Sequence, residues 1–432
     1  MQFVADFHIH SKYSRATSKD MDVEHLDKWA KIKGIKVLGT GDFTHPLYFK
    51  ELKENLEPAE NGLFKLKKSR FKKKNGNGLL SDLNLPENET RFILTAEISC
   101  IYSKNNRTRK VHLLVFAPSF EAVEKINAHL GWIGNIKSDG RPILGLDAKE
   151  LAKIVLSVSQ DCLVIPAHAW TPHFSVFGSA SGFDSLQECF EEYTKYIYAI
   201  ETGLSSDPAM NWRLSQLDRI TLISNSDSHS PSRIGREANV FDAELDYFKI
   251  SEVIKRKDRE KFLYTIEFFP EEGKYHIDGH RKCNVGILPE ETKKHKGVCP
   301  VCNKPLTIGV LYRVMQLADR PEGFKPEGAI PYKSLVPLDQ IIAEALDMGV
   351  SAKAVQKQYI EFINRFGNEF NVLLNAQKKE IEEASLPEIA EGVARVREGK
   401  LKIEPGYDGE YGVVKIFDEK ERGEFSKQKT LF

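Results

Sequence analysis

The chain has 432 residues, with 62 Lys and Arg against 62 Asp and Glu, so its formal net charge is zero. This balance excludes a globally basic nucleic-acid coat, although it leaves room for a local basic groove. With 41% hydrophobic and 29% charged residues, the composition is typical of a globular protein and argues against bulk disorder. A chain of this length has room for two or three domains and a large core.

The sequence also bears on location. It contains no apolar run of about 18 residues, which a membrane span requires, and its first residues show no secretion signal. Six cysteines are too few for a disulfide framework, and their uneven spacing favours a reducing compartment and one metal site. We therefore expect an intracellular, cytoplasmic protein.

Short apolar runs alternate with amphipathic stretches over the first 240 residues. This alternation predicts βα units and a mainly parallel sheet or barrel. Helices are predicted over 22–32 and 147–158, the second capped by Asp147. The predicted strands are 1–7, 36–40, 91–99, 111–117, 162–166, 198–201 and 219–224.

Composition changes divide the chain further. Residues 51–90 are rich in Gly, Asn, Pro and basic residues, which is typical of an insertion. Apolar residues recur at three- and four-residue spacing after Pro337, which predicts helices. We predict a barrel over 1–240, a zinc-binding segment over 241–310, a mostly helical region over 311–417 and a flexible tail over 418–432.

Ligand-type side chains follow nearly every predicted strand of the first 240 residues. Because the carboxyl ends of parallel strands meet on one side of a barrel, these side chains should converge. Imidazole nitrogens and carboxylate oxygens suit divalent ions such as Zn or Mn, and Mg also accepts carboxylates, so two or three ions are expected. The predicted ligands are His8, His10, Asp42, His45, Glu97, His112, His168, Glu201, Asp227 and His229.

Two spacings support this prediction. His8 and His10, like Asp227 and His229, lie two residues apart and therefore on the same side of an extended chain. A single histidine at a strand end is more often a hydrogen-bonded core residue, so the prediction depends on the joint pattern. Glu201 and His45 are each either a ligand or a partner that orients one. Asp227, Glu97, His8 and His229 are the candidate catalytic residues.

A second cluster predicts a structural zinc site. The pattern H-x2-C followed by C-x2-C has the paired ligands of a closed tetrahedral site. A role in folding or contact is expected, since a site with four protein ligands has no open position. The predicted ligands are His280, Cys283, Cys299 and Cys302, with His276 as the alternative to His280.

Basic and aromatic residues near the predicted metal ligands suggest an anionic polymer as substrate. Residues 65–74 read KLKKSRFKKK, and a second basic group precedes His112. Such runs are often only solvated surface, but loops beside a metal centre would hold a nucleic acid through phosphate contacts. The predicted DNA contacts are Lys67, Lys68, Arg70, Lys72, Lys73, Lys74, Arg107 and Arg109. The aromatic residues expected either to stack a base or to pack in the core are Tyr48, Trp170, Phe174 and Phe177.

The C-terminal residues predict a protein partner. Gln428, followed by Leu431 and Phe432, resembles a compressed motif that binds a sliding clamp of the PCNA type. Two large apolar residues at the end of a polar tail favour such an interaction. The alternative is a tail that docks on its own domain.

The motifs HIH at 8–10, GDFTH at 41–45 and NSDSH at 225–229, with a central Glu97, resemble the PHP (polymerase and histidinol phosphatase) superfamily. This resemblance implies a distorted (β/α)7 barrel over about residues 1–240, a trinuclear metal centre and phosphoester hydrolysis. The chain departs from the superfamily pattern at Phe43, where the motif usually reads TDH, and at 11–15, where a histidine is common.

Over nearly the whole chain, the sequence resembles the endonuclease Q family of that superfamily. The matching segments are ADFHIHSKYSRAT, GTGDFTHP, ISNSDSHSPSRIGREANVF, DGHRKC with CPVCNKPLTIGVLYRV, and EPGYDGEYG. The resemblance implies cleavage of DNA on the 5′ side of deaminated bases (uracil, hypoxanthine, xanthine) and abasic sites, leaving a 3′-hydroxyl and a 5′-phosphate. The rival functions are a small-molecule phosphoesterase and a DNA-binding module without activity.

Overall fold

A computed structural model describes residues 1–67, 83, 85, 90–418 and 421. It has a mixed α/β fold whose helices pack around one large sheet. No described helix is long and apolar enough to cross a membrane. The predicted DNA contacts Lys68, Arg70, Lys72, Lys73 and Lys74 lie outside the described residues, as does the predicted clamp motif.

The strands are β1 Gln2–Asp6, β2 Ile35–Gly39, β3 Leu56–Pro58, β4 Phe64–Leu66, β5 Arg91–Lys104, β6 Arg107–Ala117, β7 Ile143–Leu144, β8 Leu163–Pro166, β9 Ala199–Glu201, β10 Thr221–Ile223, β11 Ala238–Asp242, β12 Phe262–Glu267, β13 Asp278–His280, β14 Val285–Ile287, β15 Tyr332–Ser334, β16 Lys402–Glu404 and β17 Val413–Lys415. The helices are α1 Val23–Lys33, α2 Pro46–Asn55, α3 Phe120–Ile133, α4 Ala148–Val158, α5 Leu186–Phe190, α6 Pro208–Asn211, α7 Tyr247–Arg256, α8 Pro289–Lys294, α9 Val310–Leu317, α10 Leu338–Leu346, α11 Lys353–Phe366, α12 Lys378–Glu382 and α13 Pro387–Glu398.

The helices predicted over 22–32 and 147–158 form as α1 and α4, and side chains cap both. Asp22 accepts the backbone N–H groups of Glu24 and His25 at the start of α1. Asp147 accepts the N–H of Lys149 at the start of α4, as predicted. Such caps satisfy N–H groups that have no partner within the helix.

The large sheet is mixed, because β1 pairs in parallel with β2 but antiparallel with β11. The expectation of a mainly parallel arrangement is wrong at β5 and β6, which form a long antiparallel hairpin. Its two-residue loop is Asn105-Asn106, and both residues are left-handed, with φ of 54° and 57°. This is the conformation of a type I′ turn, which asparagine tolerates better than most residues.

The sheet continues beyond residue 240, where the sequence placed the end of the barrel. Strand β11 pairs with β12, and β12 pairs with β15. Strands β9 and β10 form a separate two-stranded sheet. Within the described residues, the strands therefore do not form a single hydrogen-bonded ring, although they arrange their carboxyl ends around one site.

The C-terminal helices attach to the first part of the chain through a buried charged group. Lys33 of α1 forms an ion pair with Glu369, with 2.6 Å between Nζ and Oε2. The hydroxyl of Tyr359, on α11, donates to the same carboxylate oxygen. Both charged side chains are almost fully buried, so removing either partner would leave an uncompensated buried charge.

Candidate metal centre

Two groups of ligand atoms lie together at the ends of the strands. His8, His10, Glu97 and Asp227 form one group, in which the ligand atoms are all within 4.8 Å of one another. Glu97, His112 and His168 form the second, by the same criterion. Since Glu97 belongs to both, its carboxylate lies at the centre of a candidate two-ion site.

The two carboxylate oxygens of Glu97 contact different side chains. Oε1 lies 2.7 Å from Nδ1 of His112 and 2.9 Å from Nε2 of His168. Oε2 lies 3.2 Å from Nε2 of His10 and 3.0 Å from Nη1 of Arg141. Strand β5 carries Glu97 and its hairpin partner β6 carries His112, so the hairpin itself brings these two side chains together.

His8 and His10 are each oriented by a carboxylate on the far side of the ring. Nδ1 of His8 lies 3.0 Å from both oxygens of Glu201, and Nδ1 of His10 lies 3.1 Å from Oδ1 of Asp42. The Nε2 atoms of both rings therefore face the centre of the cluster. Nε2 of His8 is buried there without a hydrogen-bond partner. An unpaired buried nitrogen among carboxylates fits the coordination of a metal ion.

Three residues that lie two to four positions after strand ends have left-handed backbone conformations. Asp42 has φ of 44°, His168 has 30° and Asp227 has 46°. Non-glycine residues in this region cost about 1–3 kcal/mol each and are concentrated at functional sites. The backbone conformation turns these side chains toward the cluster, which sequence spacing does not show.

The electrostatics of the cluster reflect its mixture of buried acids and imidazoles. Burial disfavours the charged form of His8, but the charges of Glu201, Glu97 and Asp227 outweigh it and hold the pKa of His8 well above its usual range. Burial acts against the carboxylate of Glu97 as well, yet His112, Arg141 and His8 hold its pKa well below the usual range. Burial lowers the pKa of His112 to about 4, which keeps that ring neutral at physiological pH.

Several predicted ligands lie outside the two groups. Asp42 and Glu201 contact the ligands His10 and His8, and Glu201 also accepts the backbone N–H of His168. His45 lies at the N-cap position of α2, donates through Nε2 to the carbonyl oxygen of Lys137, and stacks on the ring of Tyr13. In this geometry Asp42 and Glu201 orient the rings of His10 and His8.

His229 lies at the mouth of the site. Its Nδ1 is 3.0 Å from the carbonyl oxygen of Asp227, and its ring is 4.4 Å from that of His10, measured between centroids. The side chains of His229 and Asp227 are 33% and 26% exposed, whereas His8, His10 and Glu97 are fully buried. Solvent therefore reaches the cluster from the side of Asp227 and His229.

Sequence reasoning missed the residues that hold the ligand-bearing segments in place. Asp6 is fully buried and accepts the backbone N–H groups of Ser226 and Gly235. The guanidinium of Arg236 donates to the carbonyl oxygens of Ser226 and Asp227. The DFHIH and SRIGRE segments contain these residues, but only the fold shows that they meet the Asp227 loop.

The cysteine and histidine cluster assembles from the four predicted residues. Ligand atoms of His280, Cys283, Cys299 and Cys302 lie within 4.8 Å of one another. His276, the alternative to His280, is not in this group, although its Nδ1 is buried without a partner. The donor set of three sulfurs and one nitrogen suits zinc.

The described members of the predicted DNA contacts have different environments. Arg109 is buried, donates to the carbonyl oxygen of Gly182 and lies over the ring of Phe183, so the prediction of a DNA contact is wrong for it. Lys67 donates to the carbonyl oxygens of Lys53 and Glu54. It therefore supplies hydrogen-bond donors to carbonyl groups in the last turn of α2. Arg107, by contrast, is exposed at the hairpin tip.

The four aromatic residues predicted to lie near the site differ in how deeply they are buried. Tyr48, Trp170 and Phe177 are fully buried, so they pack in the core and cannot stack a base. Phe174 is half-buried, and its ring centroid is 4.8 Å from that of His112. It is therefore the one of the four that borders the candidate metal centre.

One family model and two related proteins match this sequence, each over a different part of the chain. A sequence model of the family described as the MJ0043 C-terminal domain matches residues 337–400. The chain is 34% identical over 264 residues to uncharacterized protein MJ0043 of Methanocaldococcus jannaschii, a match that covers 59% of this chain but only 32% of that protein. It is 28% identical over 425 residues to uncharacterized protein YqxK of Bacillus subtilis, covering 95% of this chain and 98% of that one.

Two solved structures are similar over almost the full length. One is the novel lesion-specific endonuclease PfuEndoQ from Pyrococcus furiosus, with a TM-score of 0.83, 32% identity and coverage of 97% of this chain and 96% of that one. The other is endonuclease Q in complex with a 27-mer duplex substrate that has an abasic lesion at the active site. Its TM-score is 0.81, with 32% identity and coverage of 97% and 98%.

Proposed function

The chain belongs to the endonuclease Q family, and we propose that it is a metal-dependent DNA repair endonuclease. The observation that carries this proposal is the pair of ligand groups that share Glu97 below a solvent-accessible mouth. We propose His8, His10, Glu97 and Asp227 as ligands of one divalent ion, and Glu97, His112 and His168 as ligands of another. The superfamily resemblance implies a third ion beside these two.

When bound, such ions would make water nucleophilic at neutral pH and neutralise charge on a phosphate. The chain's own residues supply the rest. Asp42 and Glu201 fix the rings of His10 and His8 so that Nε2 faces inward. Arg236 and Asp6 hold the loop that carries Asp227. The ligand atoms are therefore positioned before substrate arrives, which reduces the reorganisation that the reaction requires.

We propose deaminated bases and abasic sites as the lesions, cut on the 5′ side to leave a 3′-hydroxyl and a 5′-phosphate. The family resemblance supports this specificity, and the similar structure with an abasic lesion at its active site agrees with it. A damaged nucleotide would leave the base stack to reach the buried cluster. Unpairing costs less at a mismatched base, which favours lesions over normal pairs.

The test is cleavage of duplexes that carry one uracil, hypoxanthine or abasic site, with Mg²⁺, Mn²⁺ or Zn²⁺ added separately. Asp227→Ala removes a carboxylate of the first ligand group and should lower the cleavage rate by about 10²-fold or more. Asp242→Ala changes an exposed aspartate outside the cluster and should leave the rate unchanged. Normal cleavage by Asp227→Ala would contradict the proposed site.

The rival is a small-molecule phosphoesterase with the same metal centre. It would hydrolyse a phosphomonoester such as histidinol phosphate and would leave all the lesion duplexes intact. The rival has no use for a zinc module, which the Cys299 group supports. The same preparation tested on both substrate types decides between the two functions.

We also propose a sliding clamp of the PCNA type as a partner, and an intracellular, nucleoid-associated location that follows from the substrate. The clamp proposal rests only on the sequence of Gln428, Leu431 and Phe432. Truncation after Lys427 should abolish co-elution with the clamp and leave cleavage by the enzyme alone unchanged. Loss of cleavage without the clamp would instead indicate a tail that supports its own domain.

A further inference from the structure

Arg141 lies in the segment that joins α3 to β7, and its side chain reaches the metal centre. Its Nη1 is 3.0 Å from Oε2 of Glu97, on the same oxygen that faces His10. The two ligand groups contain the carboxylates of Glu97 and Asp227. Among the described arginines and lysines, Arg141 alone forms an ion pair with either of them. The site therefore contains one permanent cation next to its shared ligand.

The backbone on both sides of Arg141 is fixed. Gly140 donates its N–H to the carbonyl oxygen of Tyr13, and its own carbonyl accepts the hydroxyl of Thr44. A Cβ at position 140 would overlap Oδ2 of Asp42 and the hydroxyl of Ser14. Only glycine allows this close approach, which brings the next side chain against the cluster.

Arg141 also lies on the open side of the site. Its side chain is 31% exposed, similar to His229 and Asp227 at the mouth, whereas Glu97 is fully buried. One nitrogen of the guanidinium contacts Glu97, and no described residue accepts from its other N–H groups. Those donors therefore face the space through which a substrate would enter.

A cation in this position would do more than neutralise the charge of Glu97. A phosphodiester that approaches the site meets carboxylates, and its transition state carries more negative charge than its ground state. Guanidinium groups bind phosphate oxygens with two parallel hydrogen bonds and keep their charge at all relevant pH values. Preorganised donors of this kind act most strongly where charge develops during the reaction.

We propose that Arg141 is a catalytic residue that binds a non-bridging oxygen of the scissile phosphate and stabilises the transition state. This inference rests on the proposed function as a phosphodiesterase and adds a substrate contact to it. The free N–H groups of Arg141 take the phosphate oxygen while Nη1 stays on Glu97.

The alternative is that Arg141 only positions Glu97. The two roles predict different results, because Glu97 is a proposed ligand of both ions. A positioning role predicts loss of bound metal when Arg141 is replaced. A phosphate-binding role predicts normal metal content with a lower kcat.

The experiment compares Arg141→Ala and Arg141→Lys with wild type on a lesion duplex and on bis(4-nitrophenyl) phosphate, a simple diester without a lesion. Metal content is measured by elemental analysis, and folding by circular dichroism. We expect Arg141→Ala to keep its metal and lose about 10²-fold or more in kcat on both substrates. Arg141→Lys should recover part of this loss, since lysine keeps the charge but not the paired donors. Added guanidinium should raise the rate of Arg141→Ala.

Arg256→Ala is the control, because the side chain of Arg256 is 74% exposed on α7 and lies outside both ligand groups, so hydrolysis of either substrate should not change. A normal kcat for Arg141→Ala, or metal loss that accounts for its lower rate, would overturn the proposal. If wild type hydrolyses the simple diester but no lesion duplex, the proposed DNA function fails while the role of Arg141 is still tested.

Discussion

Replacing Glu97 with glutamine should disable both ligand groups at once. Its carboxylate is fully buried, and each oxygen contacts two groups: His112 and His168 on Oε1, His10 and Arg141 on Oε2. Glutamine has nearly the same shape but only one acceptor oxygen. In either orientation of the amide, one pair of contacts must face an NH2 group.

The structure gives the size of this effect. The charge-assisted hydrogen bond from Arg141 to Oε2 of Glu97 is lost or weakened, which costs about 1.5–3 kcal/mol. That energy alone corresponds to a decrease of about 10- to 10²-fold in metal occupancy or in cleavage rate. Loss of a carboxylate ligand acts in the same direction, because the site then has one negative charge fewer for two dications.

Elemental analysis of the purified variant measures the metal, and cleavage of an abasic duplex measures the rate. The metal of the Cys299 cluster should remain, because that group lies apart from Glu97 and shares no ligand with it. Glu244→Gln, at an exposed position, is the matched control and should behave as wild type. If Glu97→Gln retains full metal and full activity, Glu97 does not join two ion sites and the proposed centre is wrong.

Three further predictions concern the rest of the molecule. Cys299→Ser should lower the zinc content by about one ion per chain and expose residues 278–307 to protease, because binding energy at a structural zinc site is folding energy; Cys100→Ala, a buried change elsewhere, should keep the zinc. Lys33→Met leaves the buried Glu369 unpaired and should destabilise the protein by about 3–5 kcal/mol in urea denaturation. Burial raises the pKa of Glu267 from 4.5 to about 8, so the folded protein keeps a proton that the unfolded chain loses. Stability should therefore fall as pH rises through that range, and Glu267→Gln should reduce the slope by up to about 1.4 kcal/mol per pH unit relative to wild type.

The sequence predicted where the ligands would converge, because that depends on local strand patterns. His8, Glu97, His112, His168 and Asp227 each follow or lie in a predicted strand, and all belong to the two groups. Which ligand-type residues face the centre depends on rotations that spacing does not encode.

The environment of long polar side chains was much harder to predict. Arg109 lies in a basic run, yet its guanidinium is buried against Phe183 and donates to the carbonyl oxygen of Gly182. Arg141 lies in an unremarkable loop, and only the close packing of Gly140 brings it to Glu97. Both outcomes depend on contacts between segments distant in sequence, so no local pattern could reveal them.

The two metal clusters differ in how completely the protein surrounds them, and this difference separates their roles. The zinc cluster offers four protein ligands, including the fully buried Cys299, and a tetrahedral ion with four protein ligands has no position for a substrate. The second group of the metal centre offers only three: Glu97, His112 and His168. An ion held by three protein ligands would keep a position open, as catalytic sites require. The neighbouring group is exposed at Asp227, so a substrate would reach the centre from that side. We therefore propose that the chemistry takes place at the centre built around Glu97, and that the cluster of His280 and three cysteines supports the fold.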